Sequence, residues 1–147
     1  MQAFYRLIRK TKTFLFKISM EDKLLFLEAF FLTGIMRFKI LKKPFNKLKE
    51  EMGINATLIN PRYITGLDKE MLEELTENHQ VVITLEDGII NGGFGEKIAS
   101  FYGNKDIKVL NFGAHKEFTN RVPLAELYER YHLTEELIVN DIKAVLK

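Results

Sequence analysis

The sequence predicts an α/β fold, a three-layer α/β/α arrangement around a small, mostly parallel sheet, preceded by an N-terminal helical segment. In residues 54–147, short apolar runs alternate with amphipathic stretches at helical spacing, an order that implies parallel strands covered on both faces. Residues 1–53 hold twelve Lys and Arg against five Asp and Glu, a charge of +7, whereas the remainder has a charge of −5. Eight of the twelve phenylalanines also lie in residues 1–53. We therefore divide the chain into a basic, Phe-rich helical segment, 1–44, and an α/β domain, 45–147.

The most apolar window of the front segment is Leu24–Met36, in which ten of thirteen residues are apolar. Ser19 and the two carboxylates that follow it are typical of a helix start, and we expect a helix from Ser19 to about Leu41. A helix that is apolar on nearly all sides must be buried by protein or lipid. Three alternatives remain open: a helix packed on protein, a helix attached to a membrane surface, and a membrane span, for which the window is short of the roughly 20 residues needed.

Pro44 opposes continuation of that helix, and Phe45–Met52 is predicted as a short second helix that Gly53 ends. Basic residues interleave with aromatic ones near the N-terminus, which suits anionic lipid headgroups or a solvated face. No nucleic-acid partner is expected, because no known nucleic-acid-binding motif accompanies the basic residues.

Within residues 19–53, the string EDKLLFLEAFFLTGIMRFKILKKPFNKLKEEMG resembles the helical lead-in of the lasso-peptide maturation proteases. Those proteases use a catalytic cysteine, and this chain contains no cysteine, so proteolysis is not implied. The absence of cysteine also excludes disulfides and thiolate metal sites. It suits a reducing compartment, and we expect a cytoplasmic location.

The back segment is predicted to alternate strands and helices. Asp68, Pro123 and Thr134 each mark the start of a helix. A helix is also expected after the glycine-rich stretch, ending near Tyr102. The three predicted strands are Ala56–Asn60, Val81–Leu85 and Ile107–Phe112.

Three strings in this order, INATLINPRYITGLD, VVITLEDGIINGGFG and VLNFGAHKEF, followed by a helix pair, resemble the C-terminal domain of 1-deoxy-D-xylulose-5-phosphate synthase. The resemblance covers about residues 45–147 and implies a transketolase C-terminal-like fold. Two positions depart from the family pattern: Gly66 stands where proline is usual, and Glu96 where a small residue is frequent. Upstream, the family has another strand that we do not find in the sequence. The sheet is therefore expected to lack one strand and to expose an edge.

The resemblance implies an enzyme that joins pyruvate and glyceraldehyde 3-phosphate on thiamine diphosphate, in isoprenoid precursor and thiamine biosynthesis. The cofactor, its magnesium ion and the activating glutamate belong to the two preceding domains of that family. This chain alone is therefore expected to bind no cofactor and to contribute no catalytic residue. Its expected role is a non-catalytic assembly domain, with a second copy or the missing synthase domains as partner.

Glycines follow the second predicted strand at Gly88, Gly92, Gly93 and Gly95. Small residues before a helix can expose N–H groups to a phosphate. The spacing matches neither the dinucleotide-binding nor the P-loop pattern. We therefore favour a tight loop packed at an interface with a neighbouring domain.

Arg62 and Glu86 follow two strands that we expect to be adjacent, so they are predicted to pair at the same edge of the sheet. His115 lies on a loop at the carboxyl end of the third strand, where open α/β sheets bind ligands. His79 and His132 are predicted at helix ends. The three histidines are not at metal-ligand spacing, and no metal site is expected.

Three hypotheses follow. The first is the non-catalytic assembly domain. The alternative is a helical module in residues 1–44 that binds a partner or a membrane surface and is fused to an α/β scaffold. The third is a small phosphate-ligand enzyme centred on the glycine loop and His115. Because an apolar helix beside a sheet that lacks a strand needs cover, we also expect a homodimer or larger assembly, with Phe26, Phe30 and Phe31 at the contact.

Overall fold

The computed structural model describes residues 4–7, 14–17, 24–29, 38–54, 56–60 and 64–146. They form a six-stranded sheet and five helices. The strands are β1 (Phe4–Leu7), β2 (Phe14–Lys17), β3 (Leu24–Ala29), β4 (Ala56–Asn60), β5 (Val81–Ile89) and β6 (Lys108–Ala114). The helices are α1 (Phe38–Met52), α2 (Lys69–Thr76), α3 (Phe94–Tyr102), α4 (Leu124–Arg130) and α5 (Glu135–Leu146).

The strand order in the sheet is β1-β2-β4-β3-β5-β6. The pairings β4 with β3, β3 with β5, and β5 with β6 are parallel. The pairings β1 with β2 and β2 with β4 are antiparallel. The sheet is thus mostly parallel, and the predicted fold class is confirmed.

Two apolar clusters cover opposite faces of the sheet. Alternate residues of a strand point to opposite faces, and β5 shows this, since Val81 and Ile83 belong to one cluster and Val82 to the other. Leu48 of α1 and Ile142 of α5 pack in the first cluster. The second cluster holds three buried residues from each of α2 and α3: Met71, Leu72, Leu75, Phe94, Ile98 and Tyr102. The three layers are therefore α1 and α5, the sheet, and α2 and α3.

The helix predicted from Ser19 to Leu41 is wrong at residues 24–29, because Leu24–Ala29 is strand β3, whereas residues 38–41 are helical as the start of α1. It lies between β4 and β5, with Leu25 in register with Thr57 on one side and Val82 on the other. A strand in the middle of a parallel sheet has helix layers on both faces, so it is apolar at successive positions, as a buried helix is. Of the described residues in the front segment, those of β1, β2 and β3 are extended and only residues 38–44 are helical, so the resemblance to the lasso-peptide proteases loses its basis.

Strand β3 also corrects the expectation that the sheet lacks a strand. The strand that we did not find in the sequence is this one, and α1 connects it to β4. A parallel pair requires such a crossover connection. Because this strand is present between β4 and β5, an exposed edge is no longer expected there.

Helix α1 begins at Phe38 and continues through Pro44, contrary to the predicted break. Proline removes one backbone hydrogen bond and disfavours the helix interior, but Pro44 is buried here, and Leu48, one turn later, is wholly buried in the core. The predicted end of the helix is confirmed, since Gly53 has a φ of 66° and its N–H donates to the Lys49 carbonyl at 2.9 Å. Among the helices of the described residues, none combines the length and apolar character that a membrane crossing requires.

Candidate functional site

The site that the sequence singled out lies where β5 leads through the glycine loop, residues 92–95, into α3. Glu86 is 9% exposed, and its two carboxylate oxygens accept from the N–H groups of Phe94 at 2.8 Å and Gly95 at 2.6 Å. The first N–H groups of a helix have no intrahelical acceptor and lie at its positive end. Glu86 therefore caps α3 with a negative charge from the chain itself.

The other two N–H groups of the glycine loop are also bonded within the chain. The Gly92 N–H donates to Glu96 Oε2 at 2.7 Å, and the Gly93 N–H donates to the Ile90 carbonyl at 2.8 Å. A phosphate at this helix end would have to displace both carboxylates. Glu96 stands at a position where the resembled family often has a small residue. Its side chain here accepts the hydrogen bond from Gly92 and so closes the loop.

Gly93 and Gly95 are required because the Glu86 carboxylate lies against them. A Cβ at Gly95 would be 2.5 Å from Thr84 Oγ1 and 2.8 Å from Glu86 Oε1, and a Cβ at Gly93 would be 2.5 Å from Glu86 Oε2. Real Cβ atoms do not approach so closely, so any side chain here would push Glu86 off the helix end. These close contacts of Gly93 and Gly95 are with residues of this domain, and the predicted packing against a neighbouring domain stays a prediction.

Gly88, near the end of β5, and Gly92, at the start of the loop, are both exposed. A Cβ added at either would meet none of the described residues within 4 Å, but Gly92 has a φ of 75°, a conformation that L-residues rarely adopt. An interface role for these two glycines stays a prediction.

The expected pairing of Arg62 with Glu86 rested on adjacent strands, and that assumption is wrong because β3 separates β4 from β5. Arg62 itself lies outside the described residues. Glu86 also lies within β5 rather than after it, since the strand extends to Ile89 with a register shift between Leu85 and Ile89. The observed partners of Glu86 are the backbone N–H groups of α3.

Behind Glu86, a polar pair joins β5 to β6 that sequence reasoning missed. The Thr84 hydroxyl donates to Asn111 Oδ1 at 2.7 Å, and the two residues are in register. Thr84 is wholly buried. No sequence pattern identifies this pair, because a threonine in a β-branched run also fits an ordinary strand.

His115 lies on the loop after β6, as predicted, and its side chain is exposed. Its ring meets the Tyr131 ring edge-on, with centroids 5.6 Å apart and an interplanar angle of 71°. The Tyr131 hydroxyl donates to Glu117 Oε1 at 2.6 Å, and Arg130 lies 3.1 Å from Glu117 Oε2. The hydrogen bond from Tyr131 and the charge of Arg130 lower the pKa of Glu117, and the same bond raises the pKa of Tyr131. No pattern in the sequence groups these residues.

The other two histidines lie at helix ends, as predicted, and each also has a partner within the chain. His79 is buried, and its Nδ1 donates to the Leu75 carbonyl in the last turn of α2 at 2.9 Å, while its Nε2 lies 3.1 Å from the Thr57 hydroxyl. His132, between α4 and α5, lies 2.7 Å from Asp141 Oδ2. His79 thus ties the end of α2 to β4.

The described residues do not fit a thiamine diphosphate or magnesium site. They contain no group of three or more His, Asp or Glu arranged to hold a metal ion. A diphosphate needs free donors, whereas the glycine loop presents N–H groups that Glu86 and Glu96 already occupy. An open depression of about 800 Å³ on the α1 and α5 side, lined by residues that include Lys47, Glu129 and Asn140, contains none of the predicted site residues.

The hydrophobic contact predicted at Phe26, Phe30 and Phe31 assumed an exposed helix. Phe26 belongs to β3, in the middle of the sheet, with its backbone in register with Leu58 and Ile83. Phe30 and Phe31 lie outside the described residues. Phe26 is therefore part of a strand and not of the exposed helix on which the predicted contact depended.

Comparison with known proteins agrees with this architecture. The sequence pattern of the family described as Transketolase, C-terminal domain, matches residues 31–138, well over half of the chain. The chain belongs to the transketolase C-terminal domain family. The match to this family begins upstream of residue 45 and ends at residue 138, so it includes part of the front segment, the glycine loop, α4 and the first four residues of α5.

Relatives within this family are 1-deoxy-D-xylulose-5-phosphate synthases. The synthase of Clostridium tetani is 33% identical over 112 residues, which is 74% of this chain and 18% of the synthase. The synthase of Lachnoclostridium phytofermentans is 38% identical over 95 residues, which is 63% of this chain and 15% of the synthase. The chain thus spans less than a fifth of the length of these relatives, and it is similar to their C-terminal domain as the sequence predicted.

Solved structures show the same fold. A chain described as a split gene transketolase, inactive beta4 tetramer, is 29% identical, with a TM-score of 0.64, covering 84% of this chain and 39% of that one. A 2-oxoglutarate:ferredoxin oxidoreductase from Magnetococcus marinus is 13% identical, with a TM-score of 0.55, covering 93% of this chain and 20% of that one. The second likeness is one of fold alone.

Proposed function

We propose that this chain is a non-catalytic assembly domain of a thiamine-diphosphate-dependent enzyme of the 1-deoxy-D-xylulose-5-phosphate synthase type. The observation that carries the proposal is the closed glycine loop, in which Glu86 and Glu96 take up backbone donors that a phosphate ligand would need. The loop that most resembles a phosphate-binding loop has its N–H groups bonded to the chain's own carboxylates. Such a loop is suited to packing rather than to binding a phosphate ligand.

The partners in this proposal are a second copy of the chain or the remaining synthase domains. Support comes from the relatives, in which the matched region is joined to several times its own length. The similar solved chain is described as a tetramer that is inactive, so a related domain occurs in a self-assembled state without activity. The products served would be isoprenoid precursors and thiamine, and a cytoplasmic location fits a chain that uses no disulfide.

The alternative of a helical module that binds a membrane surface rested on an apolar helix in the front segment. Residues 24–29 form a central strand instead. No observation in the described residues favours this alternative, and we do not propose it.

Calorimetric titration of the full chain with thiamine diphosphate and Mg²⁺ tests the proposal, with the full-length Clostridium tetani synthase as the positive control. We expect no binding heat for this chain and clear binding for the control. Micromolar binding by this chain would contradict the proposal. Synthase activity with pyruvate and glyceraldehyde 3-phosphate, measured on the same sample, is expected to be absent.

A further inference from the structure

Asn91, directly before the glycine loop, is followed by Gly92, and no other of the nine asparagines in the sequence precedes a glycine. In such a pair the main-chain nitrogen of the second residue can attack the side-chain amide carbon of the first and close a five-membered imide ring. A side chain on the second residue hinders that approach, and glycine has none. Asn91 and Gly92 are both exposed, so water and hydroxide reach the reacting atoms.

The pair lies in a turn, between the end of β5 and the start of α3. The Gly93 N–H donates to the Ile90 carbonyl at 2.8 Å, so Asn91 and Gly92 are the two central residues of a four-residue turn. Gly92 has a φ of 75°, as the third residue of a type II turn does. Rotations about the main-chain bonds of this pair are thus not restrained by a helix or by the hydrogen bonds of a sheet.

The Glu96 side chain restrains the attacking nitrogen. The Gly92 N–H donates to Glu96 Oε2 at 2.7 Å, and the nitrogen has to lose this proton before it can attack the Asn91 amide. A negative charge beside an N–H group disfavours loss of its proton, and a hydrogen bond that the protonated form donates does the same. The bond also holds the turn in one conformation. Glu96 therefore protects Asn91 while the loop is closed.

We propose that Asn91 is a site of spontaneous deamidation whose rate Glu96 controls. Hydroxide takes the proton of the Gly92 nitrogen, which forms a bond to Asn91 Cγ. The Cγ–Nδ2 bond then breaks, and ammonia leaves with a proton taken from water. A second water molecule opens the imide ring at one of its two carbonyl carbons and leaves aspartate or isoaspartate at position 91. Nothing is oxidised or reduced, and solvent supplies every reagent.

The modification changes the part of the loop that Glu96 closes. Either product adds a carboxylate to the turn in which Glu96 Oε2 already accepts the Gly92 N–H, and like charges so close together repel. Isoaspartate also adds a methylene group to the main chain before Gly92. The two bonds from Glu86 to the first N–H groups of α3 lie further along the chain. Deamidation thus opens the start of the loop and leaves the cap of α3 in place.

Peptide mapping by mass spectrometry, on the full chain incubated at mildly alkaline pH, tests the proposal. The change in mass from amide to acid is followed at each asparagine, and isoaspartate is measured by enzymatic methylation. Asn104 is the internal control, because it is also exposed and lies in a turn, but Lys105 follows it. We expect faster conversion at Asn91 than at Asn104, with isoaspartate among the products. Conversion at Asn91 that is no faster than at Asn104 would overturn the site.

Glu96→Ala tests the control of the rate. We expect conversion at Asn91 to be about tenfold faster in this variant, because a hydrogen bond to a charged group no longer opposes the attack. Glu96→Gln keeps an acceptor without the charge and should give an intermediate rate. An unchanged or slower rate at Asn91 in Glu96→Ala would overturn the role of Glu96. An equal rise at Asn104 would do so as well, because it would mark a general loss of structure.

This inference goes beyond the proposed assembly function and does not rest on it. Titration with thiamine diphosphate, described above, tests that function separately. An Asn91 that is not converted leaves the assembly function standing, whereas cofactor binding rejects that function and leaves the deamidation site standing.

Discussion

The backbone of Gly95 lies close to three polar side chains, those of Thr84, Glu86 and Asn111. A Cβ at this position would be 2.5 Å from Thr84 Oγ1, 2.8 Å from Glu86 Oε1 and 2.9 Å from Asn111 Cγ. Because Glu86 is held by two hydrogen bonds to α3, it has little freedom to move away. The glycine is therefore needed for the cap of α3.

We expect Gly95→Ala to lower the free energy of unfolding by about 1–3 kcal/mol, the usual range for overpacking a tightly packed site. Urea unfolding monitored by circular dichroism measures it. Gly66→Ala is the matched control, because a Cβ at Gly66 meets none of the described residues within 4 Å, and surface changes of this kind stay within about 0.5 kcal/mol. Equal stability of the two variants would mean that Glu86 does not occupy the helix end as described.

Glu117 links the loop after β6 to α4, and its pKa is lowered from the ordinary value of 4.5, chiefly by the hydrogen bond from Tyr131. A carboxyl group whose pKa is lowered on folding stabilises the protein above its unfolded pKa, and this contribution is lost as the pH falls through the lowered value. The Glu117 contribution is thus present at neutral pH and lost only in acid, below pH 4.5.

We accordingly expect Glu117→Gln to lower the melting temperature at about pH 7, and the difference from wild type to shrink toward about pH 3. Tyr131→Phe should reduce the same acid dependence, because it removes the hydrogen bond that is the main cause of the shift. Glu129→Gln, on the same helix, serves as the control and should follow the wild type. A difference between Glu117→Gln and wild type that is constant with pH would contradict the assigned role of the carboxylate.

Among the elements, α2 shows how one side chain fixes a helix start. Asp68 Oδ1 accepts from the Met71 N–H at 3.1 Å, which satisfies one of the donors that a helix leaves free at its N-terminus. Asp68→Ala is expected to lower the free energy of unfolding by about 1 kcal/mol, and Asp68→Asn by much less, because asparagine caps equally well. Urea unfolding compares the two, and a similar loss in both would show that the negative charge, rather than the cap, matters.

Elements with turn residues and alternating composition were predictable from the sequence, whereas β3 was not. Asp68, Gly53 and Thr134 each end or begin a helix where expected, since their local chemistry depends little on the rest of the fold. The run Leu24–Ala29 consists of residues that fit a helix and a buried strand equally well. Pairing with β4 and β5 makes this run a strand rather than a helix. The spacing of apolar residues along the run does not reveal such long-range contacts.

The candidate site divides in the same way. Gly93 and Gly95 were predictable as site residues because glycine near a helix start usually reflects an unusual backbone conformation or a close approach of other atoms. Their actual neighbour is Glu86. The sequence analysis pairs Glu86 with Arg62 instead, because local patterns do not reveal the strand order. The Glu117 and Tyr131 pair was missed altogether, because fourteen residues separate its members and neither follows a recognisable pattern.

At the scale of the whole molecule, β3 turns a sheet that seemed incomplete into a continuous one. With β3 between β4 and β5, the middle of the sheet has partners on both sides, and both faces carry helices. The expectation of a partner therefore no longer rests on a missing strand.

The placement of β3 is the claim on which the described sheet depends, and nuclear Overhauser effects in solution test it directly. We expect cross-strand contacts between backbone protons near Leu25 and those near Val82, and between Leu27 and Thr84, following the parallel register. Residues 24–29 should also show the chemical shifts of extended backbone. Sequential amide-to-amide contacts and helical shifts through residues 24–29, without contacts to β5, would contradict the account.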